Sequence, residues 1–225
     1  SKIDTKKYIN IDTDEKLENL IAKIKNEALV AVDTETSSLN PLEAKLIGIS
    51  LCSKEGISYY VSMAHNSGKN VSLEKSLKKL KIILEDKSIK KIGQNIKYDI
   101  MVLKKYGIQI NPFEDTMLLS YTLDAGLNRH NLDLLSEIHL GHKTIQYKDL
   151  VGSGKKKLNF NEVDIKKATE YAAEDADVTF RLYKYFKTRL DEDKLNSIYE
   201  NFEKPMVSVL SKMEENGIKV DKDYL

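Results

Sequence analysis

The chain has 225 residues, 41% of them hydrophobic and 32% charged, with 36 Lys and Arg against 35 Asp and Glu for a formal net charge of +1. That size and balance suit one soluble globular domain, or one domain plus a fragment. They exclude a globally basic nucleic-acid binder but leave room for a local basic track beside an acidic pocket.

Lys7 to Ile11 reads as a first strand. Asp12 or Thr13 is placed to cap a helix running to about Asn26, with Leu17, Leu20, Ile21 and Ile24 at helical spacing. Leu29 to Asp33 reads as a strand. Lys45 to Cys52 and Gly56 to Ser62 read as two more, around a hairpin turn at Ser53-Lys54-Glu55. Ser72 opens a helix with Leu73, Leu77, Leu80 and Leu84 on one stripe, and Glu85-Asp86-Lys87 ends it. Ile89 to Ile92 is a short strand, and Asn95 to Tyr106 a helix stopped by Gly107. The second half reads as mostly helical, at about 115–124, 131–139 and 162–190. Three early strands followed by alternating helix and strand predict an α/β fold with a mixed sheet.

No apolar run approaches the roughly 20 residues that span a bilayer. Ser1-Lys2-Ile3-Asp4 carries no apolar signal core, so secretion is not expected. The lone Cys52 sits in an apolar stretch and reads as a buried free thiol of a reducing compartment. Gly152-Ser153-Gly154-Lys155-Lys156-Lys157 is a flexible basic loop. It lacks the upstream glycine and the following Ser or Thr of a Walker loop, which leaves a plain surface loop or a phosphate contact as its two readings.

The chemistry starts at Val30-Ala31-Val32-Asp33-Thr34-Glu35-Thr36. Strand side chains alternate faces, so Asp33 and Glu35 point the same way if the chain stays extended. Two like charges side by side call for a cation, and a divalent metal is the usual answer. In isolation the pair also reads as a strand running into a solvated turn. Gly93-Gln94-Asn95-Ile96-Lys97-Tyr98-Asp99 joins a strand end to a helix start, with Asn95 a plausible N-cap and Asp99 one turn later. Tyr171-Ala172-Ala173-Glu174-Asp175-Ala176-Asp177 lies inside the long C-terminal helix. There Asp175 falls on or beside the apolar stripe, with Tyr171 four residues earlier on the same face. A carboxylate on the buried side of a helix is costly unless paired or metal-bound. The alanines at 172, 173 and 176 let another element approach closely. Glu174 and Asp177 read better as solvated acids, with support of the site from behind as a second reading for Glu174. His130, His139 and His142, with no cysteine alongside, read as surface residues of helix and turn rather than as zinc ligands.

Asp-x-Glu, then Asn-x-x-x-Asp, then Tyr-x-x-x-Asp, in that order, is far more specific than any single piece. In these motifs the chain resembles the DEDD superfamily of 3′→5′ exonucleases, in its tyrosine-bearing subclass. More closely, it is similar to the proofreading domain of bacterial family A DNA polymerases (DNA polymerase I). Asp33 to Thr36, Gly93 to Asp99, Phe113-Glu114-Asp115-Thr116-Met117 and Tyr171 to Val178 carry the resemblance, which covers nearly the whole chain.

The resemblance implies a ribonuclease H-like mixed sheet flanked by helices. It implies an exonuclease domain over residues 1–192. Residues 193–225 would be a linker and the first helix of a polymerase domain, because Glu203-Lys204-Pro205-Met206 to Val220 looks like that domain's opening. The chain's stop at Leu225 then reads as a truncation. The activity implied is hydrolysis of DNA phosphodiester bonds from a 3′ end. Two divalent ions would assist, Mg²⁺ with Mn²⁺ or Zn²⁺ as substitutes, about 3.5–4 Å apart in such sites. Asp33 would bridge both metals, Glu35 and Asp175 would complete the first site, and Asp99 would hold the second through water. Tyr171 would orient the attacking water with help from Glu35, because a pKa of about 10 makes a phenol a poor free base. Leu39 would wedge against the terminal bases and Tyr147 would stack near the strand, with ordinary packing as the other reading of both. Thr34, Gln94, Asn95 and Arg129 match positions near the substrate.

The implied partners are a single-stranded or frayed 3′ end of DNA, the product nucleoside 5′-monophosphate and a polymerase domain. The protein would be a monomer, off the membrane, in the bacterial cytoplasm near the nucleoid. Two alternatives stay open: an RNase D-like RNA 3′ exonuclease, and a catalytically silent structural platform of the polymerase.

Overall fold

The computed structural model describes residues 3, 7–221 and 223–224, with Lys155 described in its backbone only. The readings that rested on Ser1, Lys2, Asp4 and Leu225 lie outside the described residues. The elements are β1 (Tyr8–Ile11), α1 (Asp14–Ile24), β2 (Leu29–Thr36), β3 (Leu46–Lys54), β4 (Ile57–Ser62), α2 (Leu73–Leu84), β5 (Lys90–Gly93), α3 (Ile96–Lys104), β6 (Phe113–Asp115), α4 (Thr116–Asp124), α5 (Leu132–Leu140), α6 (Tyr147–Val151) and α7 (Ile165–Glu192). A short α8 (Asn196–Ile198) and a π-helical turn (Tyr199–Glu203) lead into α9 (Lys204–Asn216). No described helix is long and apolar enough to cross a membrane.

The six strands form one mixed sheet in the order β1-β4-β3-β2-β5-β6. The pairs β2–β3 and β3–β4 are antiparallel, and β1–β4, β2–β5 and β5–β6 are parallel. The mixed α/β sheet expected from the sequence is therefore present. Alternation along β2 sorts the core. Val30 and Val32 face a cluster with α1 and α2, while Ala31 faces a second cluster with α7. The first cluster takes the predicted stripe of α1, Leu17, Leu20, Ile21 and Ile24, all buried. Ala172, Ala173 and Ala176 on α7 are fully buried, and their small size lets this helix lie close on the sheet. Cys52 is a buried free thiol, as expected.

Four local differences have physical causes. Strand β2 does not stop at Asp33 but continues to Thr36, because β3 keeps pairing with it through Glu35 and Gly48. The β3–β4 turn falls at Glu55-Gly56 rather than at Ser53 to Glu55, since Gly56 supplies the positive φ of 76° that a tight turn uses. Strand β6 was not expected; three residues, two of them acidic, are too few to reveal alternation. Asn95 does not cap α3 with its side chain. It adopts a left-handed backbone (φ 59°), and Asp115 from β6 receives the N–H groups of Asn95 at 3.1 Å and Ile96 at 3.0 Å.

The segment after α7 packs back on the same body. Tyr199 is fully buried, and its hydroxyl accepts from the Asp115 N–H at 3.0 Å. Val207 on α9 is buried beside α3, and Lys104 pairs with Glu215 at 2.6 Å.

Candidate active site

Asp33 and Glu35 follow Ala31 on the α7 face of β2, and Asp175 descends from α7 to meet them. Oxygen atoms of Asp33, Glu35 and Asp175 all lie within 4.8 Å of one another. Thr34, between the two acids, points to the other face and there meets α3. Its N–H and its hydroxyl both donate to Asp99 Oδ1, at 2.9 and 2.6 Å. One strand thus aims two carboxylates at one helix and orients a third carboxylate on another.

Burial holds the carboxyls of Asp33, Glu35, Asp99 and Asp175 well above the usual carboxylate range. Mutual repulsion adds to this: Asp175 acts on Asp33, and Asp33 acts on Glu35 and Asp99. The two Thr34 donors oppose the rise at Asp99, and Tyr171 opposes it at Asp175. Glu35 Oε1 is buried with no hydrogen-bond partner among the described residues. An orphaned buried oxygen beside two other carboxylates fits a divalent cation, which takes hard oxygen ligands. Asp33, Glu35 and Asp175 are the residues able to hold one, with Asp99 beyond them.

The raised values have a measurable sign. A carboxyl whose folded pKa lies above its unfolded value stabilises the fold at low pH, and that contribution is lost as pH rises through the folded value. Asp175→Asn is therefore expected to raise the melting temperature of the metal-free protein, by roughly 2–8 °C for relief of about 1–2 kcal/mol. The gap from wild type should widen as pH climbs from about 4. Thermal scans in chelator across pH check this; a variant that never exceeds wild type would contradict the repulsion.

The carboxylates line a cleft of about 760 Å³ whose walls include Leu39, Gln94, Asn95, Tyr98, Tyr147, Lys157, Phe160 and Tyr171. Leu39 is 96% exposed at its mouth, so ordinary packing does not hold it there. Tyr147 lies parallel to Phe160, with ring centres 6.4 Å apart, and meets Tyr171 edge-on at 5.9 Å. Burial, then the charges of Asp175, Glu35 and Asp33, push the Tyr171 phenol far up, so it stays protonated. Gln94 is tied at both ends of its amide: Nε2 donates to the His130 carbonyl at 2.7 Å, and Oε1 accepts from Thr116 Oγ1 at 2.5 Å. Asn95 presents its side chain from the left-handed turn. Arg129 does not line this cleft; it lines a neighbouring apolar hollow with Met117, Leu118 and Tyr121.

Several residues were missed or misread in the sequence. Tyr98 lines the cleft and its hydroxyl bonds Thr36 and the Ser38 carbonyl. Glu174 and Asp177 are buried, not solvated. Glu174 accepts from the Ile145 N–H at 2.6 Å and bonds His142 Nε2 at 2.9 Å, tying the segment before Tyr147 to α7. His142 is accordingly a buried residue and not a surface one. Asp177 accepts from Tyr8 at 2.8 Å, from the Gly56 N–H at 2.9 Å and from Arg181 at 3.0 Å. The signal for both acids was their alanine-flanked place on a helix buried nearly all round.

Behind Glu35, the paired residue Gly48 makes room for Tyr60. A Cβ at Gly48 would stand 2.2 Å from the Tyr60 hydroxyl, which is fully buried and bonded to His65 Nε2 at 2.8 Å. Gly48→Ala should therefore cost about 1–3 kcal/mol by overpacking. Denaturant melts read this directly, and an unchanged midpoint would mean that Tyr60 moves freely.

One mixed sheet and two helices thus gather four carboxylates, from two strand positions and one position on each helix, under an open cleft. The family model for 3′-5′ exonuclease matches residues 8–191, and the chain belongs to that family, the 3′-5′ exonuclease domain of DNA polymerase I homologues. It is 43% identical to DNA polymerase I of Rhizobium leguminosarum over 97% of this chain and 23% of that protein. Among solved structures, the POL domain of Pol1 from M. smegmatis in complex with DNA primer-template and dNTP superposes at a TM-score of 0.73, with 18% identity, over 95% of this chain and 33% of that one. Brucella melitensis NrnC with bound Mg²⁺ superposes at 0.68, with 24% identity, over 94% of this chain and 96% of that one. The chain spans about a quarter of the length of the DNA polymerase I relatives it matches.

Proposed function

We propose that this exonuclease domain removes nucleotides one at a time from the 3′ end of DNA, as the proofreading module of a DNA polymerase I. The observation that carries the chemistry is the trio Asp33, Glu35 and Asp175 within 4.8 Å, with Glu35 Oε1 buried and orphaned among the described residues. Two divalent ions, Mg²⁺ with Mn²⁺ or Zn²⁺ as substitutes, are the fitting cofactors. Asp33 would serve both, Glu35 and Asp175 the first, and Asp99, oriented by the two Thr34 donors on its Oδ1, the second through water. When bound, the ions supply Lewis-acid stabilisation of charge on the attacking and leaving oxygens.

The chain's own groups do the rest. Tyr171 keeps its proton and so orients the water by hydrogen bonding, with Glu35 helping, rather than removing a proton from it. Leu39 stands ready to wedge between terminal bases, and Tyr147 offers an aromatic face. Gln94 braces the turn that presents Asn95 to the strand, and Thr34 orients Asp99. Arg129 reaches the substrate only from beside the cleft. The product is a nucleoside 5′-monophosphate. A duplex end must fray to enter, and unpairing costs least at a mismatch, which gives the reaction its selectivity.

We infer residues 1–192 to be the exonuclease domain and 193–225 the linker and first helix of a polymerase domain. The family match ending at residue 191 supports this, although Tyr199 and Val207 pack back on the exonuclease body. We further propose that it works as a monomer in the bacterial cytoplasm, at the nucleoid; the relatives themselves are bacterial DNA polymerase I chains.

Matched 5′-labelled DNA and RNA oligonucleotides with Mg²⁺ or Mn²⁺ test the reading. A ladder of DNA shortened from its 3′ end is expected. Strong preference for RNA would favour the RNase D-like alternative, and no release with either metal would favour an inert platform.

A further inference from the structure

We propose that Lys157 is the cation that grips a backbone phosphate of the bound strand, next to the one being cut. It is the single cationic side chain among the described residues lining the acidic cleft. Four carboxylates line the same cleft, and bound metals would neutralise them only where they meet the reacting phosphate. The neighbouring phosphate of an entering strand still faces a negative wall, and Lys157 is placed to offset it.

The loop geometry supports a held backbone and a free side chain. Lys157 N–H donates to the Gly154 carbonyl at 3.2 Å, and Leu158 N–H donates to the Val151 carbonyl at 2.9 Å. Asn159 and Glu162 cap each other just beyond, and Phe160 is buried. The Lys157 side chain itself is exposed, and its ammonium lies 5.7 Å from the centre of the Tyr147 ring. An exposed cation on an aromatic face is weakly held, whereas a charge-assisted bond to a phosphate oxygen is among the stronger hydrogen bonds. The ammonium therefore exchanges the ring for the phosphate when a strand arrives, which frees that face of Tyr147 for a base. Contacts step from Lys157 to Tyr147, from Tyr147 to Tyr171 and from Tyr171 to Asp175, so the phosphate assigned to Lys157 is a neighbour of the scissile one rather than the scissile one itself. This gives the basic loop its phosphate reading, and narrows it to one residue.

The assignment rests on the exonuclease reading, so its test uses the same reaction. Single-stranded 5′-labelled DNA is digested by wild type, Lys157→Ala, Lys157→Arg and Lys156→Ala over a series of salt concentrations. Lys157→Ala should raise KM about five- to tenfold with kcat within twofold, and should lower the slope of log(1/KM) against log salt by about 0.7, one single-strand phosphate contact. Lys157→Arg should restore most of the affinity, and Lys156→Ala should leave the slope unchanged. A neutral methylphosphonate at the linkage next to the terminal one should remove the wild-type advantage. If Lys157→Ala matches wild type at every salt concentration, or Lys156→Ala matches Lys157→Ala, the assignment falls while the exonuclease reading stands. If wild type releases no nucleotide at all, both fall.

Discussion

Asp33→Ala is expected to cut mononucleotide release by on the order of 10³-fold or more, because several kcal/mol of transition-state stabilisation depend on correctly held ions. Asp33 neighbours Glu35 and Asp175 in the trio, and its charge is the largest acting on Asp99, which supports its proposed place between the two ions. Asp33→Asn should therefore weaken binding of both ions, and Glu35→Gln chiefly of the first. Activity with saturating Mg²⁺ and calorimetric metal titrations read the two effects separately. Indistinguishable titrations of the two variants would undo the division of roles.

Asp115→Ala should be the most damaging substitution away from the carboxylates proposed to hold metal. The Asp115 carboxylate accepts from Asn95, Ile96, Met117 and Leu118 N–H groups, at 3.1, 3.0, 2.8 and 3.4 Å. It thus caps α3 and α4 together from one buried side chain. A lost N-cap costs roughly 0.5–2 kcal/mol, and a buried donor left unpaired about 1–3 kcal/mol. A loss of about 3–4 kcal/mol is expected, roughly 10 °C of melting temperature at this size. Catalysis should fall further than stability alone explains, because α3 begins at the Asn95 turn and carries Asp99. Denaturant midpoints and kcat below the transition measure both. A variant within 1 kcal/mol of wild type would mean that water caps these helices adequately.

The legible parts of the fold were those set by one local period. The i, i+3, i+4, i+7 stripe of α1 placed its buried face correctly, and the shared face of Asp33 and Glu35 followed from strand alternation alone. The position of Asp175 on a buried helix face was legible for the same reason. What escaped was settled by partners distant in sequence. Asn95 looked like a cap, but β6 brings Asp115 twenty residues away to do that work. Glu174 and Asp177 looked solvated because helical periodicity assumes one wet face, whereas α7 is covered by the sheet, whose edge residue Tyr8 reaches Asp177, and on another side by the segment carrying His142, which reaches Glu174. Lys157 and Tyr147 share a wall only because the loop folds over α7, which no spacing in the sequence encodes.

The most direct measurement is anomalous diffraction from crystals soaked with Mn²⁺ and a nucleoside 5′-monophosphate. Two peaks are expected, one bounded by Asp33, Glu35 and Asp175 and the other on the Asp99 side of Asp33, with the monophosphate lying along the cleft beneath Tyr147. A cleft that took the nucleotide but held no Mn²⁺ on these carboxylates would contradict the metal-assisted account.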